Sequence, residues 1–311
     1  MKNPYARYGV KLLALVLALL LPFAAYFAWA QSLPAQFTHR IVGTLHHKLT
    51  LLETTSTPRL ILAGGSSSPY GTDCAYIADT LNIPCINVGT TVYIGVDIYL
   101  SMLEKYMLPG DIIVLGPEHS MLSHVINYQV VWQAIENSPS AWSIVPSHYW
   151  PHLLTSYYAY ASEKAALAAG GNVPASYHPD FGPLGDVVAP REALLESGYN
   201  RLDLIALSPA ALDADVARQL RAFYEKAQAR GVQVYLIHAP VDELAVTTSP
   251  ADWAALEEAL RSQTGIPLLA PLSASVMEGK YFYDTNNHLT TEGAAIYSRL
   301  LAESLRPYLN A

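Results

Sequence analysis

The sequence predicts an α/β protein: a three-layer, doubly wound parallel sheet with a helical insertion and an N-terminal transmembrane helix. Three observations carry that expectation. Leu60 to Ala63, Cys85 to Val88, Ile112 to Leu115 and Val232 to Ile237 are short apolar runs of the kind that parallel strands need when both faces are covered. Helical patterns lie between them, so strand and helix alternate. Ahead of them all, Leu12 to Ala30 is a 19-residue stretch without a charged side chain.

That apolar stretch follows Lys2, Arg7 and Lys11, with no acid among the first 31 residues. Its length suits a spanning helix, and the basic flank places the N-terminus in the cytoplasm and the rest of the chain on the periplasmic or extracellular side. Ala28-Trp29-Ala30 before Gln31 also resembles a cleavage site, so residues 1–31 read either as a single-pass anchor in the cytoplasmic (inner) membrane or as a cleaved signal. Both readings export the remainder. The net charge of −8, despite that basic start, argues against nucleic acid as a partner and against bulk attraction to anionic lipid.

Residues 32–57 read as a linker with an amphipathic stretch, His46-His47 lying on its solvated face. The main domain is expected over 58–311. Its first strand runs into Gly64-Gly65-Ser66-Ser67-Ser68, a tight glycine turn, after which Ser68-Pro69 or Thr72-Asp73 offers helix-start chemistry for a helix from Tyr70 to Leu81. The second helix, Val96 to Tyr106, is broken by Met107-Leu108-Pro109-Gly110. Between the third strand and the helix Ala214 to Ala229 lies far more chain than a crossover needs, so about 120–212 is an insertion. It carries Trp132, Trp142, Tyr149, Trp150, Tyr157, Tyr158 and Tyr160, expected mainly to pack a small subdomain, with sugar stacking or docking to a membrane partner as the alternative. A closing helix from Thr291 to Leu305 ends the fold.

The cysteines and the remaining histidines suggest no metal and no cofactor. Cys74 and Cys85 are expected toward opposite ends of the layer, as two buried thiols rather than a disulfide. His148 and His152 have helical spacing, but Pro151 lies between them and no acid is close by. His238, at the end of the fourth strand, reads either as a site-lining residue or as a hydrogen-bonded structural histidine.

Two distant stretches make one chemical proposal. The glycine turn exposes a serine at a strand-to-helix elbow, and Asp284 with His288 supplies an acid and a base just before the last helix. A serine hydroxyl is a poor nucleophile at neutral pH unless a base accepts its proton, and that base needs a fixed tautomer.

Gly64-Gly65-Ser66, Asn87-Val88-Gly89 and Asp284 through His288-Leu289 resemble, in order and in placement on strand ends, the first, second and fifth motif blocks of the SGNH/GDSL hydrolase superfamily. The resemblance covers roughly 58–118 and 231–306 and implies a flavodoxin-like fold. The N-terminal anchor and the Gly-Gly-Ser-Ser form look most like exported proteins that handle O-acyl groups on cell-envelope polymers. It implies Ser66 as nucleophile, with Ser67 as runner-up, His288 as base and Asp284 as its orienting carboxylate. The amides of Ser66 and Gly89 would face the oxyanion. Two positions depart from the family. Asp284 and His288 are four apart rather than three, and Glu118 stands where the third block supplies an asparagine. An ionised carboxylate there would repel an oxyanion, so Glu118 is expected to be protonated, or to bind an acceptor hydroxyl, or to mark a site that is not hydrolytic.

The resulting expectation is an O-acetyl transferase or esterase acting on an extracellular or cell-envelope polysaccharide through a serine acyl-enzyme. Its implied partner is a membrane-bound O-acyltransferase. The alternative is a non-catalytic polysaccharide-binding or assembly subunit that keeps the fold.

Overall fold

A computed structural model describes residues 4–136, 138–170, 181–193 and 204–309. At its centre is a parallel sheet of four strands, β1 (Leu60–Gly64), β2 (Cys85–Asn87), β3 (Ile112–Gly116) and β4 (Gln233–Leu236), in the order β2-β1-β3-β4. Leu60 pairs with Cys85 on one side and Ile112 on the other, and Ile112 pairs with Gln233. A lone parallel bridge from Leu236 to Leu268 extends the sheet beyond β4. A separate two-stranded sheet joins β5 (Val241–Asp242) to β6 (Val276–Met277).

Side chains alternate along a strand, so each strand feeds two cores. Ile61, Ala63, Ile113, Leu115, Val234 and Leu236 face one core, which α5 (Val96–Tyr106) and α9 (Ala214–Ala229) fill with Leu103, Leu220 and Phe223. Leu60, Leu62, Ile112, Val114, Tyr235 and Ile237 face the other, against Ile77 of α4 (Cys74–Leu81) and Tyr297, Leu301 and Leu305 of α11 (Thr291–Leu309). Burial of each large apolar side chain contributes about 1.5–3 kcal/mol, which is why both faces of these strands are apolar. At the N-terminal edge of the sheet, Arg59 is fully buried. It makes two 3.2 Å bonds to Asp111 and donates to the carbonyls of Leu52, Thr55 and Tyr106.

Capping residues fix where helices start. Asp73 accepts the Tyr76 amide ahead of α4, Asp213 accepts those of Asp215 and Val216 ahead of α9, and Ser249 with Asp252 forms a capping box on α10 (Pro250–Thr264). The helix expected from Tyr70 to Leu81 is therefore two: α3 (Ser67–Gly71) and α4, separated by Thr72 and Asp73. Thr72 ends one and Asp73 begins the other.

The segment 32–57 is no free linker. Phe37, Val42, Leu45, Leu49 and Leu52 are buried in the first core, and α2 (Leu45–Thr54) packs beside β2. Of the two histidines expected on a solvated face, His46 is exposed, but His47 is half-buried and burial lowers its pKa. The insertion is helical over its first half, with α6 (Tyr128–Ala134), α7 (Pro139–Trp142) and α8 (Trp150–Ala168), whereas its described residues 181–193 form turns around a Phe181–Val187 bridge. Trp132, Tyr149, Tyr157 and Tyr160 are buried, and Trp142 and Trp150 pack against them, so these aromatics are core; Tyr158 is exposed. Residues 171–180 and 194–203 of the insertion lie outside the described residues. α1 (Pro4–Ser32) contains the one helix among the described residues long and apolar enough to cross a membrane.

Cys74 and Cys85 are both buried and unbridged. They are not at opposite ends, however: burial first, and then the neighbouring Cys85 thiol, push the Cys74 pKa well up. The short β2 brings its start close to the elbow, since Asn87, two residues on, already bonds Thr72.

Candidate active site

The strand ends place the functional side chains. β1 ends at Gly64 and β3 at Gly116, paired in register, so Ser66 and Glu118 each follow two residues beyond adjacent strand ends. Asp284 and His288 arrive from the loop that leads into α11. All four line one cavity of about 810 Å³ at the C-terminal edge of the sheet. Crevices at that edge are where open α/β sheets bind ligands.

The acid–base pair forms despite its four-residue spacing. Tyr283 donates its amide to the His288 carbonyl, closing a turn, while Thr285 Oγ1 accepts the amides of Asn287 and His288. Asn287 anchors the turn by donating to the Pro240 carbonyl at 2.7 Å. The carboxylate of Asp284 thereby reaches Nδ1 of His288 at 2.7 Å. With Nδ1–H donating to Asp284, Nε2 is the basic nitrogen. The imidazole stacks on Tyr70 at 4.0 Å and 7°, and Arg191 donates to the carbonyls of Tyr70 and Leu289, tying the serine elbow to the histidine loop.

Ser66 faces the cavity, and its hydroxyl donates to Glu118 Oε1 at 3.4 Å. The same oxygen accepts the Ser67 amide at 2.7 Å. Glu118 is buried, and the glycine before the serine makes room for it: a Cβ at Gly65 would lie 2.3 Å from Oε1 and 2.5 Å from Val92 Cγ1. In this arrangement the carboxylate sits where the elbow presents an amide and a hydroxyl. An oxyanion seeking the Ser67 amide meets Glu118 first.

The runner-up serine does not reach this cavity. Ser67 is buried, and its hydroxyl, without a hydrogen-bond partner among the described residues, faces a space of about 20 Å³ behind the elbow. Gly89 is also not where the resemblance puts it. Its amide donates to Asn87 Oδ1 at 2.8 Å, and a Cβ there would lie 2.6 Å from the Ser68 Cβ, so glycine serves close packing of the elbow and not the oxyanion. Asn87 is fully buried and bonds Ser68 and Thr72 as well, which makes it a brace.

His238 lies outside the main cavity, beside a space of about 20 Å³ lined also by His119 and Asn287. Desolvation lowers its pKa to about 4, and Nε2 has no partner among the described residues. It is a neutral buried histidine rather than a site base. His148 and His152 do not converge: His148 Nε2 is 3.4 Å from Asp97, and His152 stacks on Tyr128.

Sequence reasoning missed Tyr70, Thr285, Arg191 and Arg40, the last lining the cavity from the segment after α1. Tyr70 and Thr285 stand close to motif residues in sequence, a signal of position only. Arg40 and Arg191 carry no signal at all, because what places them is tertiary.

No protein-family model matches the chain, and no curated protein matches it. Among solved structures, the crystal structure of protein YXIM from Bacillus subtilis is similar at 12% identity and a TM-score of 0.41, covering 82% of this chain. The match spans 57% of that protein.

Proposed function

We propose that the chain is an SGNH-like serine enzyme handling O-acyl groups, acetyl first among them, on an extracellular or cell-envelope polysaccharide. The observation that carries it is that Ser66 and the hydrogen-bonded Asp284–His288 pair line one cavity. The strand order, which is the first four positions of the flavodoxin-like arrangement, supports the finer fold assignment. The basic residues ahead of the apolar helix support export of the domain, with α1 as a single-pass anchor.

In the proposed reaction, Ser66 Oγ attacks the acyl carbonyl carbon while His288 Nε2 takes its proton, and Asp284 holds the imidazolium. The collapse of the tetrahedral species expels the donor's oxygen, which receives that proton. A sugar hydroxyl or water then repeats the steps in reverse on the Ser66 ester. Transfer is the favoured outcome, with a membrane-bound O-acyltransferase as the partner supplying acyl groups. For the forward step the serine hydroxyl leaves Glu118 and turns to His288.

That turn gives a second reading its footing. As the hydroxyl donates to Glu118 and, among the described residues, makes no bond to His288, a non-catalytic polysaccharide-binding or assembly subunit is the alternative. A fluorophosphonate probe separates the two, because only an activated serine reacts quickly. Full-length protein in detergent should label at Ser66 and, given acetylated polysaccharide or an activated acetyl ester, release acetate through an acyl-enzyme detectable by mass. Absence of labelling together with retained polysaccharide binding selects the second reading.

A further inference from the structure

The last turns of α1 are built into the domain. Ala30 is fully buried, Phe27 stacks on Tyr157 at 4.5 Å, and the Tyr157 hydroxyl donates to the Phe27 carbonyl while accepting from Gln31. Tyr26 stacks on Tyr158 of α8 at 5.8 Å. The membrane-length helix and α8 therefore run together at one corner of the molecule.

The outward side of α8 is unlike that of the other long helices. Its exposed positions include Pro151, His152, Leu154, Thr155, Tyr158 and Ala159, and none is Asp, Glu, Lys or Arg. Its two charged residues turn away from that side. Glu163 pairs with Arg40, and Lys164 is fully buried against Glu136. On α9, by contrast, Asp215, Arg218, Arg221, Glu225 and Lys226 are all exposed. Tyr158 is 72% exposed, Leu154 50% and Trp29, at the end of α1, 46%.

We propose that this face, formed by Trp29, Leu154 and Tyr158 with the uncharged side of α8, lies in the headgroup layer of the same phospholipid bilayer that α1 enters. The proposal rests on the reading of α1 as a membrane anchor. Three points select lipid as the occupant. The face is continuous with the exposed apolar surface of α1. Its aromatic residues are those that favour the membrane–water boundary, with an apolar body and a polar tip. It carries no charge for either a protein partner or an anionic headgroup to pair with, so apolar burial is the available term. The consequence is positional: Arg40, Ile41 and Val42, shortly after α1, line the cavity, so docking of α8 holds its mouth at the membrane surface.

The test uses the full chain in vesicles of phosphatidylethanolamine and phosphatidylglycerol, with an environment-sensitive fluorophore at Leu154→Cys, Tyr158→Cys or, as control, Glu225→Cys on α9. The native thiols are buried, and wild-type protein carried through the labelling is the blank. Expected is a blue-shifted emission at 154 and 158, quenched when the lipids carry brominated acyl chains, and no change at 225. Water-like, unquenched emission at 154 and 158 in chains that float with the vesicles overturns the docking and leaves the anchor standing. Failure to float overturns both. Shielding that occurs in native membranes but not in pure lipid overturns lipid as the occupant in favour of a membrane protein.

Discussion

Ser66 and Glu118 share one contact, and that contact decides how the site is to be tested. Ser66→Ala should lower esterase or transferase turnover by about 10³-fold or more, since losing the nucleophile disables the whole unit. Ser67→Ala, whose hydroxyl lies behind the elbow, should keep activity within about threefold of wild type, the scale of a substitution that removes no reacting group. The reverse ranking would show that the elbow turns the other serine outward. For Glu118, replacement by Gln keeps an acceptor for the Ser67 amide and adds a donor for an oxyanion, so turnover should be retained or raised. Glu118→Ala leaves that amide without its partner and should cost about tenfold or more, in line with losing one donor or its support. Should Glu118→Gln fall as far as Ser66→Ala, the charged carboxylate is itself the base that takes the Ser66 proton. Steady-state rates with an activated acetyl ester read all four variants.

Two elements hold these residues in place, the elbow and the histidine turn. At the elbow, Gly65→Ala brings a Cβ against Glu118 Oε1 and Val92. Both neighbours are side chains that can give way, so the expected stability cost is about 1–3 kcal/mol, and activity should follow that of Glu118→Ala because the carboxylate is displaced. Wild-type rates in a folded Gly65→Ala protein would remove Glu118 from the reaction. In the turn, Thr285→Val deletes the acceptor for the Asn287 and His288 amides. With the imidazole less well placed, kcat should fall roughly tenfold to a hundredfold while KM holds, the signature of lost geometry rather than lost binding.

For the molecule as a whole, the buried histidine beyond β4 predicts a pH dependence of stability. The pKa of His238 is lowered by burial to about 4 from 6.5, so between those values the unfolded chain binds the extra proton. Stability from this group is thus present above pH 6.5 and lost as the pH falls toward about 4, by about 3 kcal/mol at most on a cost of 1.36 kcal/mol per unit. His238→Gln cannot take up that proton. Thermal unfolding in detergent across this range should show a shallower acid decline in the variant than in wild type; identical profiles would assign the acid loss to carboxylates instead.

Local pattern was enough for the four strands of the main sheet, for α5, α9 and α11, for the apolar N-terminal helix, and for picking out Ser66, Asp284, His288 and Glu118, which the fold brings to one cavity, because periodicity, glycine turns and caps act over a few residues; β5, β6 and α10 were not legible in it. Of the two helix starts it offered, Ser68-Pro69 and Thr72-Asp73, the structure uses the second for α4, and the bounds from Tyr70 were wrong because an N-cap inside a helical pattern competes with the pattern itself. Tertiary structure alone decided which serine faces the cavity, that Gly89 packs rather than binds, and that Cys74 lies beside Cys85. It also placed Tyr70 and Arg191 against the histidine loop, put Arg40 on the cavity wall, and paired or buried the charges of α8. Each of those outcomes depends on which surfaces meet across long sequence separations, and burial, unlike periodicity, is a property of the assembled chain.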